Sequence, residues 1–327
     1  MSICLCHQSA DQALELLAQK KELTEPASTA IIEGLKSGRD EVLSACNDMP
    51  SITLPIHVLI GDSANTKSEQ CIKTHLWKGG FPDGAIKRIS DELYVASPEL
   101  CLVQQANGLS FVRLCQMLGR YLGTFSPSKE SVFGFVERQP LTTEEELSNF
   151  IRTLSIKRPA GIVRQAMRWT CPSSASPQEV NLQLALSLPP TYHGFALPCP
   201  HMNYEVGLEG IAKEFCMPDK TIRIDLCWPD FGIGLEYQGE YHESQIGKDY
   251  ARNLAANHMG YQLWYLANEQ LVDAKQLEYI ARIVARKVRK KINPKTWPTT
   301  DEVQKLLDVL SGAREDALNK RWRVRKK

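Results

Sequence analysis

The chain has 327 residues, 43% of them hydrophobic, and 39 Lys and Arg stand against 38 Asp and Glu for a net charge of +1. That length and apolar content suit two packed domains and argue against a disordered polyelectrolyte. No stretch approaches the ~20 consecutive apolar residues of a membrane helix, and the opening Met-Ser-Ile-Cys lacks the charged-then-apolar layout of a secretory signal, so no membrane partner and a cytoplasmic location are expected.

The first ~50 residues read as helices, because "DQALELLAQKKEL" and "STAIIEGLKSGRDEVLSAC" carry apolar residues at three- and four-residue spacing with "EPAST" between them. Ahead of them "CLCH", Cys4 to His7, has a C-x-C-H set with no second ligand pair nearby and is a weak zinc match. The chain's ten cysteines are otherwise scattered among hydrophobic neighbours and are read as reduced, buried thiols. "ITLPIHVLIG" and "KRISDELYVASP" have the β-branched content of strands, and "ELCLVQQANGLSFVRLCQMLGRYLGTF" returns to helical spacing. Residues 1–150 are therefore expected to form a mixed α/β domain, helical over 1–50 and α/β over 51–126.

At "TTEEELSNFIRTLSI" Thr143 and Glu146 have capping-box spacing, and residues 151–175 are expected to be a helical connector. Beyond it "SPQEVNLQLALSL" predicts a helix capped by Ser176 with Pro177 in its first turn. "MNYEVGL", "TIRIDLCW" and "GIGLEYQG" predict three strands, "QIGKDYARNLAANHM" a helix stopped by Gly260, "YQLWYLA" a strand, and a long helix starts near Asp273. The order is α-β-β-β-α-β-α.

Strand alternation places Arg223, Asp225 and Cys227 on one face, opposite the core residues Ile222, Ile224 and Leu226, and puts Gly234, Glu236 and Gln238 together on the next strand. If the two strands pair through the short turn after Trp228, Asp225 and Glu236 come within reach of one ion. Adjacent carboxylates repel, and a hard divalent cation, Mg²⁺ or Mn²⁺, resolves the repulsion.

These residues carry a resemblance. The Asp225, Glu236, Gln238 spacing after a helix bearing Glu179, followed by "EYQGEYH…KDYARNLAANHMGYQLWYL", resembles the PD-(D/E)XK, or restriction-endonuclease-like, core of the branch that contains very-short-patch-repair endonucleases. The resemblance covers residues 176–266. It implies a mixed central sheet flanked by helices over 176–292, with Asp225 and Glu236 as metal ligands, Glu179 as an auxiliary acid and His242 beside the scissile phosphate. Asp249 and Arg252 would fall on the following helix, where a mutual ion pair is an equal alternative. The function implied is metal-dependent hydrolysis of DNA phosphodiester bonds, in defence or repair. Gln238 departs from the pattern, standing where Lys, or Asp in this branch, is usual; it can position a water but carries no charge. A catalytically degenerate protein that binds DNA and regulates transcription is the alternative.

Charge is divided unevenly along the chain. Residues 281–327 hold 15 Lys and Arg against 5 Asp and Glu, while residues 1–280 hold 24 against 33. In "LEYIARIVARKVRKKI" an apolar stripe of Leu277, Ile280, Ile283, Val284 and Val288 opposes Arg282, Arg286, Arg289 and Lys290. Residues 293–327 form a basic tail ending in "KRWRVRKK", where Arg321, Arg323 and Arg325 surround Trp322. These cations are candidates for DNA phosphates; the plainer reading is solvated helix faces. In the first domain "HLW" from His75 and "YVASPELCLVQQA" from Tyr94 resemble segments of AbiEi-type antitoxin and regulator proteins. His75 is read as packing or capping, and Arg113, Arg120 and Arg164 have no assigned role.

Overall fold

The computed structural model describes residues 2–313 apart from 23, 29–30, 32–33, 36, 64–69, 78–79, 217 and 239–245; the side chains of 215, 238 and 246–249 also lie outside the description. The chain is α/β and divides into two compact units, Met1–Arg168 and Trp169–Lys327. The division falls inside the segment expected as a connector.

The first unit is built on β1 (Ile3–Leu5), α1 (His7–Lys20), β2 (Glu25–Pro26), α2 (Arg39–Ala45), β3 (Ile56–Ile60), β4 (Ile72–Leu76), β5 (Ile86–Arg88) and β6 (Leu93–Ala96). The six strands form one mixed sheet in the order β2-β5-β6-β1-β3-β4. The first 50 residues are thus not wholly helical. "ICL" is a central strand, parallel to β6 and antiparallel to β3, and all three of its residues are buried. A three-residue strand buried on both faces shows no alternation, so periodicity cannot reveal it.

Four more helices complete this unit: α3 (Pro98–Gln105), α4 (Phe111–Leu122), α5 (Glu144–Thr153) and α6 (Lys157–Ala166). A hairpin of β7 (Phe125–Pro127) and β8 (Phe135–Glu137) lies between α4 and α5. Ser97 and Ser110 cap α3 and α4, and Thr143 with Glu146 forms the expected capping box on α5. Arg120 pairs with Asp11 at 2.8 Å and with Glu15, while Arg138, 1% exposed, donates to both Glu15 oxygens at 3.1 Å and to the carbonyls of Gly123, Gln139 and Arg120. Three elements distant in sequence are bound together by this polar knot, which gives Arg120 a structural role.

The second unit follows the order expected from Ser176, with two short helices added. Its elements are α7 (Pro177–Ser187), β9 (His201–Gly207), α8 (Gly210–Phe215), β10 (Thr221–Trp228), β11 (Ile233–Gln238), α9 (Ile246–His258), β12 (Gln262–Ala267), α10 (Asn268–Val272), α11 (Ala274–Lys287) and α12 (Thr300–Ser311). The short α8 and α10 are the additions. A four-stranded mixed sheet, β12-β11-β10-β9, runs antiparallel from β9 through β11 and then parallel to β12, with α9 as the crossover. A 3₁₀ turn at Pro229–Phe231 and Gly232, at φ 59°, close the β10–β11 hairpin. Val206, Ile222, Ile224 and Leu263 pack with Ala212 of α8 and Ala255 and Ala256 of α9, small residues that let both helices close on the sheet.

Strict alternation does not hold along β10. Cys227 belongs to the same core cluster as Ile222 and Ile224, so the phase changes between Ile224 and Cys227. On the neighbouring strand Asn203 has the left-handed φ of 48°, and it lies across from Asp225, between the pairs Ile224–Tyr204 and Leu226–Met202. The expected placing of Cys227 on the face opposite Ile222 and Ile224 is corrected accordingly. Among the described residues, no helix is long and apolar enough to cross a membrane.

Candidate active site

Three acidic side chains from three elements meet in the second unit. Glu179 sits at the third position of α7, where Ser176 caps the helix by accepting from the Glu179 N–H at 3.1 Å. The Glu179 carboxylate turns back, accepting from Ser176 Oγ at 2.9 Å and the Ala175 N–H at 2.8 Å, and takes a third bond from Asn203 Nδ2 at 2.6 Å. Asp225 lies in mid-β10, and its Oδ2 accepts the Tyr237 N–H at 2.8 Å across the hairpin. Glu236, 4% exposed, lies on β11 one step beyond the Leu226–Leu235 pair, and so beside Asp225 in the register.

The electrostatics follow from that crowding. Burial is the largest cause raising the Glu179 carboxyl, and the Asp225 charge adds to it against three hydrogen bonds that lower it. Glu236 is also raised, first by burial, then by Asp225 and more weakly by Glu179, while Arg252 opposes the shift. Two buried acids held up by a third charge are a donor set that gains from a cation.

Arg252 on α9 brings the one cation described at this site, its Nη2 3.2 Å from Glu236 Oε1 and also donating to the Arg223 carbonyl. The expectation for Arg252 included an ion pair with Asp249; the described partner is Glu236. The Asp249 side chain and that of Gln238 lie outside the described residues, as does all of His242. The backbone of Gln238 ends β11, paired with Ala267.

The basic candidates are spread along and after α11. Arg282 donates to Glu278 at 2.7 and 3.0 Å and lies over Trp297, its guanidinium carbon 5.3 Å from the ring centre. Arg286 and Arg289 are exposed and Lys290 half-buried; Arg289 closes the helix in the left-handed conformation at φ 54°. Leu277, Val284 and Val288 of the expected apolar stripe are buried with Ala281 and Ala285. Arg321, Arg323 and Arg325 lie outside the described residues.

Asn203 was not a sequence candidate. An asparagine inside a strand of otherwise β-prone residues is the signal that could have flagged it, since Asn tolerates left-handed backbone and offers an amide donor. Among the described residues, the one group of three His, Cys, Asp or Glu donors lying within 4.8 Å of one another is Cys6, His7 and His75, in the first unit. Glu179, Asp225 and Glu236 do not form such a group, and Asp225 and Glu236 are neighbours by strand register. Compared with protein-family profiles, with curated proteins and with solved structures, the chain has no match.

Proposed function

We propose that the second unit is a metal-dependent DNA endonuclease domain of the PD-(D/E)XK type, acting in the cytoplasm on defence or repair substrates. The observation that carries this reading is the convergence of Glu179, Asp225 and Glu236 from α7, β10 and β11 beside a mixed four-stranded sheet. Oxygen donors that are buried and mutually repelling fit Mg²⁺ or Mn²⁺, with Asp225 and Glu236 as ligands. Such an ion, when bound, supplies Lewis-acid polarisation of a phosphate and a more acidic water.

The chain's own residues would do the remainder. Asn203 and Ser176 hold Glu179 in one orientation, so this acid is positioned by its helix cap. The Tyr237 N–H fixes the Asp225 carboxylate through Oδ2. Arg252, paired with Glu236, would supply the positive charge that Gln238 cannot. His242 is the proposed proton carrier, and Arg282, Arg286, Arg289, Lys290, Arg321, Arg323 and Arg325 are the proposed backbone contacts.

Incubation of the purified chain with supercoiled, linear and single-stranded DNA, with and without Mg²⁺ or Mn²⁺, tests the reading. Nicking that requires the ion and disappears in Asp225→Ala is expected. A wild type that nicks nothing, or an Asp225→Ala protein that nicks as well, overturns it. The uncharged Gln238 and the Arg252–Glu236 pair favour a second reading, a degenerate domain that binds DNA without turnover. That reading predicts salt-sensitive binding that survives Asp225→Ala and weakens when residues 320–327 are removed.

A further inference from the structure

Four residues from three separate parts of the first unit gather at one end of β1. Cys6 and His7 stand where β1 passes into α1; His57 is on β3 and His75 on β4. The strands are in register His57–Lys73 and Leu59–His75, which makes the two histidines diagonal neighbours. His75 Nε2 and His57 Nδ1 share a hydrogen bond of 3.0 Å, the His7 and His75 rings stack with centres 3.7 Å apart, and His7 Nδ1 lies 3.3 Å from Cys6 Sγ. Three of the chain's seven histidines are thus in one cluster. Cys6 is anchored by its N–H to the His57 carbonyl at 3.0 Å, and His7 holds the left-handed φ of 49°. A β-carbon-bearing residue adopts that backbone at a cost, and such strain gathers at functional positions.

We propose that Cys6, His7 and His75 are the ligands of a zinc ion, with His57 as the partner that orients the His75 ring. The donor atoms of the three lie within 4.8 Å of one another. With Zn–S near ~2.3 Å and Zn–N near ~2.0 Å, tetrahedral coordination places adjacent S and N ligands about 3.5 Å apart. The observed Cys6–His7 separation of 3.3 Å is already close to that edge. A thiolate with two imidazoles selects zinc over Mg²⁺ or Ca²⁺, and three protein ligands leave the fourth position for water or a further group.

The surrounding charges are compatible with this. Burial lowers the affinity of all three imidazoles for protons, helped by Lys73 and, for His7 and His75, by the neighbouring rings, His7 to about 3 and His75 to about 4. Lys73 is exposed and opposes a dication; a Cys6 thiolate would answer it. Burial, Cys4 and Cys101 hold that thiol protonated, so binding must release its proton and must tighten as pH rises.

Cobalt(II) is the probe. Titrated into the metal-free full-length chain, one equivalent should give the visible bands of a four-coordinate ion and a near-ultraviolet thiolate-to-cobalt band, and one equivalent of Zn²⁺ should abolish both. Cys6→Ser should remove the thiolate band and His75→Ala at least tenfold of affinity; His57→Gln should cost roughly 10–100-fold, as loss of an outer partner does. Asp225→Ala should change none of this. Cys6 is fully buried, and if its variant does not fold, the half-exposed His75 and His57 variants decide the question. A wild type without the thiolate band, unaltered affinity in folded His75→Ala, or loss of the band in Asp225→Ala each overturns the proposal.

Discussion

Replacing Asp225 by Asn should make the metal-free protein more stable and the metal-bound one weaker. Asp225 raises both Glu179 and Glu236, so its charge works against the fold whenever those acids ionise. Side chains opposite one another on antiparallel strands start ~5 Å apart at Cβ. One pair of unit charges at that distance repels by about 3 kcal/mol at an effective dielectric near 20, and by about 1 kcal/mol in water. Arg252 and proton uptake by Glu236 offset part of this, which leaves a gain of about 1–2 kcal/mol for the neutral side chain. Asn keeps a carbonyl oxygen for the Tyr237 N–H, so little is lost in exchange. For a unit of this size the gain raises the melting temperature by roughly 2–8 °C. The sign with pH is fixed: a carboxyl raised in the folded state contributes stability that is present below its ordinary unfolded value and is lost as pH rises through the folded one. The advantage of Asn should therefore shrink as pH falls through the raised values at which Glu236 and Glu179 take up protons, and be small once the ordinary carboxylate range is reached. Circular-dichroism melts at acidic and neutral pH, each with and without Mn²⁺, would measure both effects. At a hundredfold excess over Kd the ion should stabilise the wild type by about 2.7 kcal/mol and the variant by much less. An Asp225→Asn protein that melts lower at neutral pH, or that Mn²⁺ stabilises as strongly as wild type, would refute the reasoning.

Further substitutions bear on the frame around the site. Gly234→Ala brings a methyl against Ile224 and within 2.9 Å of Leu263 Cδ2, so denaturant unfolding should show a loss of about 1–3 kcal/mol together with weakened metal binding at the adjacent Glu236. Trp228→Phe removes the 2.8 Å bond from Nε1 to the Pro198 carbonyl and should cost about 1 kcal/mol in the same assay. Arg252→Lys should retain more nicking than Arg252→Ala if the charge at this position serves the reaction; equal activity in the two would assign Arg252 to packing alone. In the first unit Arg138→Met should cost about 3 kcal/mol, because Glu15 stays buried with half its partners gone.

The second unit was largely legible in the sequence; in the first, α1, α3, α4, β3 and β6 were, while the short strands β1 and β2 were not. From Ser176 onward the signals are local: Ser-Pro opening a helix, Gly260 ending one at φ 87°, Asp273 starting another by accepting the N–H of Lys275 and Gln276. Strands of six to eight residues also leave room for a pattern. In the first unit β1 and β5 have three residues each and β2 has two, too few for any period to emerge, and the sheet is set by contacts between Ile3, Val58 and Tyr94 regions that no local rule connects. At the candidate site the acids were readable because their spacing is. Asn203 was not, since its part depends on a backbone turnover opposite Asp225. The histidine cluster was hidden for a similar reason: Cys6, His57 and His75 are brought together by strand order, not by spacing along the chain.

The knot of Glu15, Arg120 and Arg138 also governs how this protein can be dissected. Its members come from the first helix, the fourth and the end of a hairpin more than a hundred residues later. A fragment that stops before Arg138 would bury Glu15 with a guanidinium missing, so the hairpin acts as a clasp that shuts only when the chain has grown past it. During synthesis the preceding sheet and helices would wait, incompletely fastened, for that late residue to arrive.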